Sequence, residues 1–205
     1  MAQSIAQSQS HPAHNSEEIL VVKRTHLFRD TPAWTGLRSL DFDEYLSLIT
    51  EHQEFHPRYL MENDPTYKQI IPYLIFKNND QFFLMERNKK ASEGRLASKL
   101  TLGIGGHIRK EDMTTPDIFS WAKREFHEEV NYTGNLTFKP LGVLNDDSDT
   151  VGQVHIGFVF LLEGDSDAIS VKSELASGHL ATLDELKLVE NRMEGWSSTA
   201  LKALI

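Results

Sequence analysis

The segment best equipped for chemistry is Arg124-Glu125-Phe126-His127-Glu128-Glu129-Val130. On a helix each residue turns by about 100°, so with Glu125 at zero Glu128 falls near ~300° and Glu129 near ~40°. The three carboxylates then share one arc of about 100°. Phe119, Ala122, Phe126 and Val130 fall in a second arc, which reads as a core stripe. Like charges this close repel by a few tenths of a kcal/mol per i,i+4 pair. A hard divalent cation such as Mg²⁺ or Mn²⁺ turns that repulsion into attraction, because it takes a few carboxylate oxygens together with substrate phosphate. Arg124 precedes Glu128 by one helical turn and can hold its carboxylate by a forked hydrogen bond. Upstream lies LTLGIGGHI, a strand with three glycines, the setting a metal–phosphate site requires.

Other candidates flank this segment. Lys89, Lys90, Arg95 and Lys99 lie on a polar stretch before the glycine-rich strand, and His107 follows its last glycine directly. Arg95, Lys99 and His107 could contact substrate phosphate, as well as serving as a solvated basic loop and an ordinary loop histidine. His155 sits in an alternating strand and reads as structural. Phe158, Phe160 and Leu162 read as core, or as one wall of a base pocket.

The pattern Arg-Glu-apolar-x-Glu-Glu after a glycine-rich loop resembles the Nudix (MutT-like) superfamily, whose box reads G-x5-E-x7-R-E-U-x-E-E-x-G-U, with U a bulky apolar residue. The resemblance covers roughly residues 69–188. It implies a Nudix-like α/β/α sandwich with a mixed β-sheet. It also implies an enzyme that hydrolyses a diphosphate linkage in a nucleoside diphosphate joined to another moiety, with Mg²⁺ or Mn²⁺ as cofactor. Carried over position by position, Glu125, Glu128 and Glu129 ligate the metal with the Gly106 (or Gly105) carbonyl, and Arg124 orients a carboxylate. Glu174, between a late strand and the next helix, is in place for a general base, with Glu129 the alternative. Two departures stand out. From Gly106 to Arg124 is 18 positions where the box has 14, leaving Glu111 or Asp112 to stand in for the first acid. The box's final glycine is Asn131 here, the residue next best suited to a left-handed helix end. The alternative function is a non-catalytic nucleotide-ligand sensor. The retained carboxylates argue for catalysis over that, and the absence of cysteine argues against the isomerase activity known on the same fold.

The elements that must position these groups are legible in outline. Ile19–Val22 form a strand candidate, followed by a helix with Asp41 as cap and Phe42, Tyr45, Leu46 and Ile49 along one face. IIPYLIFK and QFFLMER flank the turn NND and predict a hairpin starting near Gln69. Thr115 and Pro116 predict the start of the carboxylate helix, which should run through Val130. Strands are expected over 137–144 and 154–162, a short helix capped by Thr182, and a terminal helix over 197–204. Strands alternating with helices make the fold class α/β (α+β). The expected organisation is a disordered tail over 1–17, an N-terminal extension with strand and helix over 18–68, and the Nudix-like domain over 69–205.

The chain has 205 residues and a formal net charge of −9, with 21 Lys and Arg against 30 Asp and Glu. That balance argues against general nucleic-acid binding, which needs a basic footprint. With no cysteine, disulfide scaffolds, thiolate zinc sites and cysteine nucleophiles are excluded. No apolar run approaches the roughly 20 residues that span a bilayer, and the start lacks the basic and apolar regions of a secretory signal. The expected location is therefore cytoplasmic. The expected partner is a small phosphorylated substrate of nucleotide origin, and a homodimer is left open.

Overall fold

The computed structural model describes residues 17–39, 42–88, 99–112, 118–173 and 175–205. Asp41, Thr115 and Pro116, expected as helix-start residues, lie outside them, as does the tail over 1–16. In chain order the elements begin with β1 (Glu18–Lys23), α1 (Arg24–Leu27), β2 (Gly36–Arg38), α2 (Phe42–His52), β3 (Glu54–Pro57) and α3 (Arg58–Met61). The centre follows as β4 (Tyr67–Asn78), β5 (Gln81–Arg87), β6 (Leu100–Thr101), β7 (Gly103–Gly105), α4 (Ile118–Glu129), β8 (Val130–Tyr132) and β9 (Leu136–Asn145). The chain closes with β10 (His155–Gly164), β11 (Ile169–Val171), β12 (Leu175–Thr182), α5 (Leu183–Val189) and α6 (Gly195–Leu204).

β4 organises the sheet. It is apolar along most of its length and buried almost throughout, as expected for a strand covered on both faces. Strands run in the order β12-β5-β4-β10-β9-β2, with β1 and β7 also paired to β4, β3 to β1 and β6 to β5. The β4–β10 pair is parallel and its neighbours are antiparallel, so the sheet is mixed. β1 pairs with β4 up to Gln69 and β7 pairs from Tyr73 onward. Pro72, which has no N–H to donate, falls in the gap between them.

Alternation along the strands divides the core in two. Ile70, Leu74 and Phe76 of β4, with Phe158, Phe160 and Leu162 of β10, face α2 and α4. Tyr73 and Ile75, with Val159 and Leu161, face α5 and α6. This is the expected α/β/α sandwich. Phe158, Phe160 and Leu162 are fully buried, as a core stripe should be.

Several local expectations change. The hairpin turns at Asn79 and Asp80, with Asn79 at φ 51°, but its first strand opens at Tyr67 rather than Gln69. LTLGIGGHI is not one strand. It breaks after Thr101, so that β6 pairs with β5 while β7 pairs with β4. Thr182 caps α5 through a complete capping box with Glu185. The stretch before it, for which no strand was expected, is β12, which completes the sheet edge beside β5. Asn131 does not end the helix in a left-handed conformation; Asn79 is the one non-glycine residue with positive φ among the described residues. The chain instead passes straight from α4 into β8, where Asn131 pairs with Ser170. Lys172 N–H donates to the Glu129 carbonyl at 2.8 Å and its ammonium to the His127 carbonyl. The orphan carbonyls that a left-handed cap would serve are thereby satisfied from β11's end.

The segment before β4 belongs to the same sheet and core. α2 buries Phe42, Tyr45, Leu48 and Ile49, with Leu46 packed at the margin. Phe42 meets Phe158 and Phe160 edge-on, at centroid distances of 5.4 and 5.2 Å.

Candidate metal and phosphate site

The carboxylates divide by burial. α4 turns Ile118, Trp121, Ala122 and Phe126 inward, and Glu125 with them, at 8% exposure. Glu128 is half exposed and Glu129 is partly buried. A buried carboxylate needs compensation, and the place Glu125 occupies indicates its partner. Its carboxylate rests directly on Gly106, and a Cβ at that position would overlap both oxygens. The absence of a side chain at Gly106 is what lets the Glu125 carboxylate come this close to the loop backbone.

Arg124 spreads its fork over two acids rather than one. Nη1 lies 2.6 Å from Glu128 Oε2 and Nη2 lies 3.0 Å from Asp112 Oδ2, with Glu125 at 3.6 Å. Asp112 is nearly buried and also accepts from the Arg109 backbone N–H at 2.9 Å. Its carbonyl accepts the Trp121 indole N–H at 3.1 Å. Glu111 is mostly exposed and, among the described residues, pairs with Arg109 at 3.9 Å. Of the two acids, Asp112 is the one that meets Arg124. It also follows Gly106 at the interval the box gives its first acid. The four extra residues accordingly lie between Asp112 and Arg124, where 113–117 are outside the described residues.

Arg109 was not among the sequence candidates. Its guanidinium sits 3.3 Å from Asp112 and 3.7 Å from Glu128, so two guanidinium groups serve this acid cluster. Nothing in the polar run around Arg109 signals that role. It depends on β1, which fixes the local backbone: Leu20 N–H donates to the Ile108 carbonyl at 2.8 Å and Ile19 bridges Arg109.

His107 turns its ring away from solvent. Its Nε2 lies 2.7 Å from Gln69 Oε1 and 3.3 Å from His155 Nε2. Burial holds its pKa well below the ordinary imidazole value, with the charges of Arg58 and His155 acting in the same direction. Lys99 is exposed, and its carbonyl accepts Arg87 N–H at 3.0 Å. Arg87 pairs with Glu194 at 2.7 Å and lies within the field of Glu129. Glu174 and Arg95, with Lys89 and Lys90, lie outside the described residues. Glu174's neighbours are the end of β11 and the start of β12, not a helix start.

Among the described residues no three acids or histidines converge closely enough to grip a cation as they stand, and Glu128 is engaged by Arg124 and Arg109. The donors nonetheless match a hard cation in type: carboxylate oxygens on one helix face, with Glu125 seated on the glycine whose backbone would complete the set.

No family model matches the chain. Protein YmaB of Bacillus subtilis (strain 168) is 33% identical over 205 residues, covering 92% of this chain and 97% of its own. Tm1382, described as a candidate Nudix hydrolase, has a crystal structure that matches at a TM-score of 0.79 and 31% identity, covering 92% of this chain and 98% of that one. A bifunctional NMN adenylyltransferase/ADP-ribose pyrophosphatase of Francisella tularensis, solved with AMP and a manganese ion, shares the fold at a TM-score of 0.51 and 20% identity. It matches over 67% of this chain and 41% of that one. With its mixed sheet, glycine-seated Glu125 and Arg124-held acids, the chain belongs to the Nudix hydrolase superfamily.

Proposed function

We propose that the chain is a Mg²⁺- or Mn²⁺-dependent pyrophosphohydrolase acting on a nucleoside diphosphate linked to a second moiety. The observation that supports this best is the seat of Glu125 on Gly106 beside the Arg124–Glu128 pair. In this reading Glu125, Glu128 and Glu129 hold the cation together with the Gly106 carbonyl. The bound metal supplies charge neutralisation of the diphosphate and acidification of an attacking water. The chain's own residues do the rest. Arg124 and Asp112 hold Glu128 in register with Glu125, and Arg109, released from Glu128, is placed to meet phosphate oxygens. Glu129 serves as the base that takes the water's proton, with Glu174 the alternative. The ligands of the Francisella protein, AMP and manganese, agree with a nucleotide-derived substrate.

The test is phosphate or nucleotide release from a panel of nucleoside diphosphate derivatives, with Mg²⁺, with Mn²⁺ and with EDTA. Turnover that EDTA abolishes, and that Glu128→Gln lowers by roughly two or more orders of magnitude with the fold intact, is the expected result. Nucleotide binding without turnover under any metal would instead make the chain a sensor.

A further inference from the structure

The glycine that seats Glu125 has an unusual tether. Gly105 is fixed at the end of β7 by pairing with Tyr73, and Ile108 is fixed by Leu20 N–H on its carbonyl. Between them Gly106 and His107 form a short connection, and glycine gives its backbone the widest freedom of any residue. The His107 side chain holds that connection down. Gln69 is fully buried, and its Nε2 donates to the Met61 carbonyl at 3.2 Å, which leaves Oε1 as an acceptor aimed at His107. An amide oxygen can only accept, so His107 Nε2 carries the proton and donates at 2.7 Å. His155 Nδ1 donates to the Val151 carbonyl at 2.7 Å, so in the neutral ring its Nε2 lone pair faces the same His107 N–H at 3.3 Å. Both acceptors stand at one register position of the β4–β10 pair, Gln69 opposite His155. The central parallel strands thus present one docking point for one imidazole.

We propose that His107 is a positioning residue for the metal site: docked on Gln69 and His155, it fixes the Gly106–His107 peptide so that the Gly106 carbonyl and Glu125 present their oxygens to one cation. This rests on the reading of Gly106, Glu125 and Glu128 as metal ligands. It assigns His107 away from substrate phosphate, and Gln69 and His155 to the same task. The role parallels that of outer-shell partners which orient metal ligands, whose loss costs about 10- to 100-fold in affinity.

The experiment measures Mn²⁺ binding to the full chain without substrate, by electron paramagnetic resonance of free Mn²⁺, alongside thermal unfolding. His107→Phe keeps a ring of similar size but has no donor, and should weaken Mn²⁺ binding about 10-fold or more. His107→Gln, which restores an N–H donor, should recover most of that loss. In turnover, the Mn²⁺ concentration for half-maximal rate should rise while kcat at saturating Mn²⁺ is retained. A merely structural role would lower the melting temperature and leave Mn²⁺ affinity unchanged. Wild-type Mn²⁺ binding by folded His107→Phe, beside lost binding in Glu128→Gln, overturns the proposal and leaves the ligand reading standing. Wild-type binding by Glu128→Gln takes down both. Where His107→Phe does not fold, Gln69→Leu removes the acceptor and leaves the imidazole, and the same outcomes decide.

Discussion

Gly103 opens β7 and Gly106 follows its end, and an added methyl group would do different things at the two positions. At Gly106 an added Cβ would meet the carboxylate tip of Glu125, the movable end of a side chain. At Gly103 it would meet the ring of Tyr73. That ring cannot yield, because its hydroxyl is 2.8 Å from Ser197 Oγ in a buried network that also takes Leu102 N–H at 2.9 Å. Burial pushes the Tyr73 phenol up to about 12, so it stays a neutral hydroxyl within that network. Gly106→Ala should therefore fold with nearly native stability and lose Mn²⁺ affinity, because Glu125 must leave its seat. Gly103→Ala should cost about 1–3 kcal/mol from overpacking and leave Mn²⁺ affinity intact in the folded fraction. Calorimetric melting and Mn²⁺ titration of the two variants check this, and a metal-binding defect confined to Gly103→Ala would reverse the assignment.

At the scale of elements, the N-terminal strands are joined to β4 by a cluster of polar side chains. Glu54 of β3 accepts from Tyr67 of β4 at 3.1 Å, contacts His56 at 2.9 Å and pairs with Lys23 of β1 at 3.1 Å. The His56 hydrogen bond, with those of Lys23 and Tyr67, lowers the Glu54 carboxyl from 4.5 to about 2 against the opposing effect of burial. A carboxyl whose pKa is lower folded than unfolded binds more protons in the unfolded chain. Its stabilisation is complete above pH 4.5 and is lost as pH falls through that value toward 2. Glu54→Gln should flatten the slope of stability against pH in that window, read by urea unfolding at a series of pH values; an unchanged slope would mean that other carboxylates set it. Such clusters mark the boundary of what the sequence makes legible. α2, the β4–β5 hairpin and the Thr182 cap are written in local periodicity and turn chemistry, and each formed nearly as expected. The helix that carries the acids and the reach of Arg124 to Glu128 also follow from local spacing. β12, the split of LTLGIGGHI into two strands, the passage of Asn131 into β8 and the docking of His107 all depend on partners far along the chain. No window of neighbouring residues carries that information. Asp112 is intermediate: its count from Gly106 was visible, and only its contact with Arg124 separated it from Glu111.

Across the whole molecule, the question is whether residues before β4 form an appendage or a part of the core. β1 hydrogen bonds at once to β4 and to the loop that carries Gly106 and Asp112, and α2 lies over the β10 aromatics that also pack against α4, with Phe119 5.3 Å from Phe160. A chain divided into an extension over 18–68 and a domain over 69–205 would leave Phe158 and Phe160, both fully buried, open on that face. We therefore propose that the described residues unfold as one cooperative unit. Phe42→Ala removes the edge-on contacts of α2 with Phe158 and Phe160, and a buried Phe→Ala change costs about 3–5 kcal/mol. In a chain of this size each kcal/mol moves the melting temperature by about 2–4 °C, so a fall of roughly 10 °C is expected. Far-ultraviolet circular dichroism, reporting strands and helices everywhere, and the fluorescence of Trp121 in a background with Trp34 and Trp196 replaced by Phe, reporting α4 beside the acids, should shift together. A melt in which Phe42→Ala displaces an early step and leaves the Trp121 transition at its wild-type temperature would establish a separable extension, and would detach β1 from the support of the Gly106 loop.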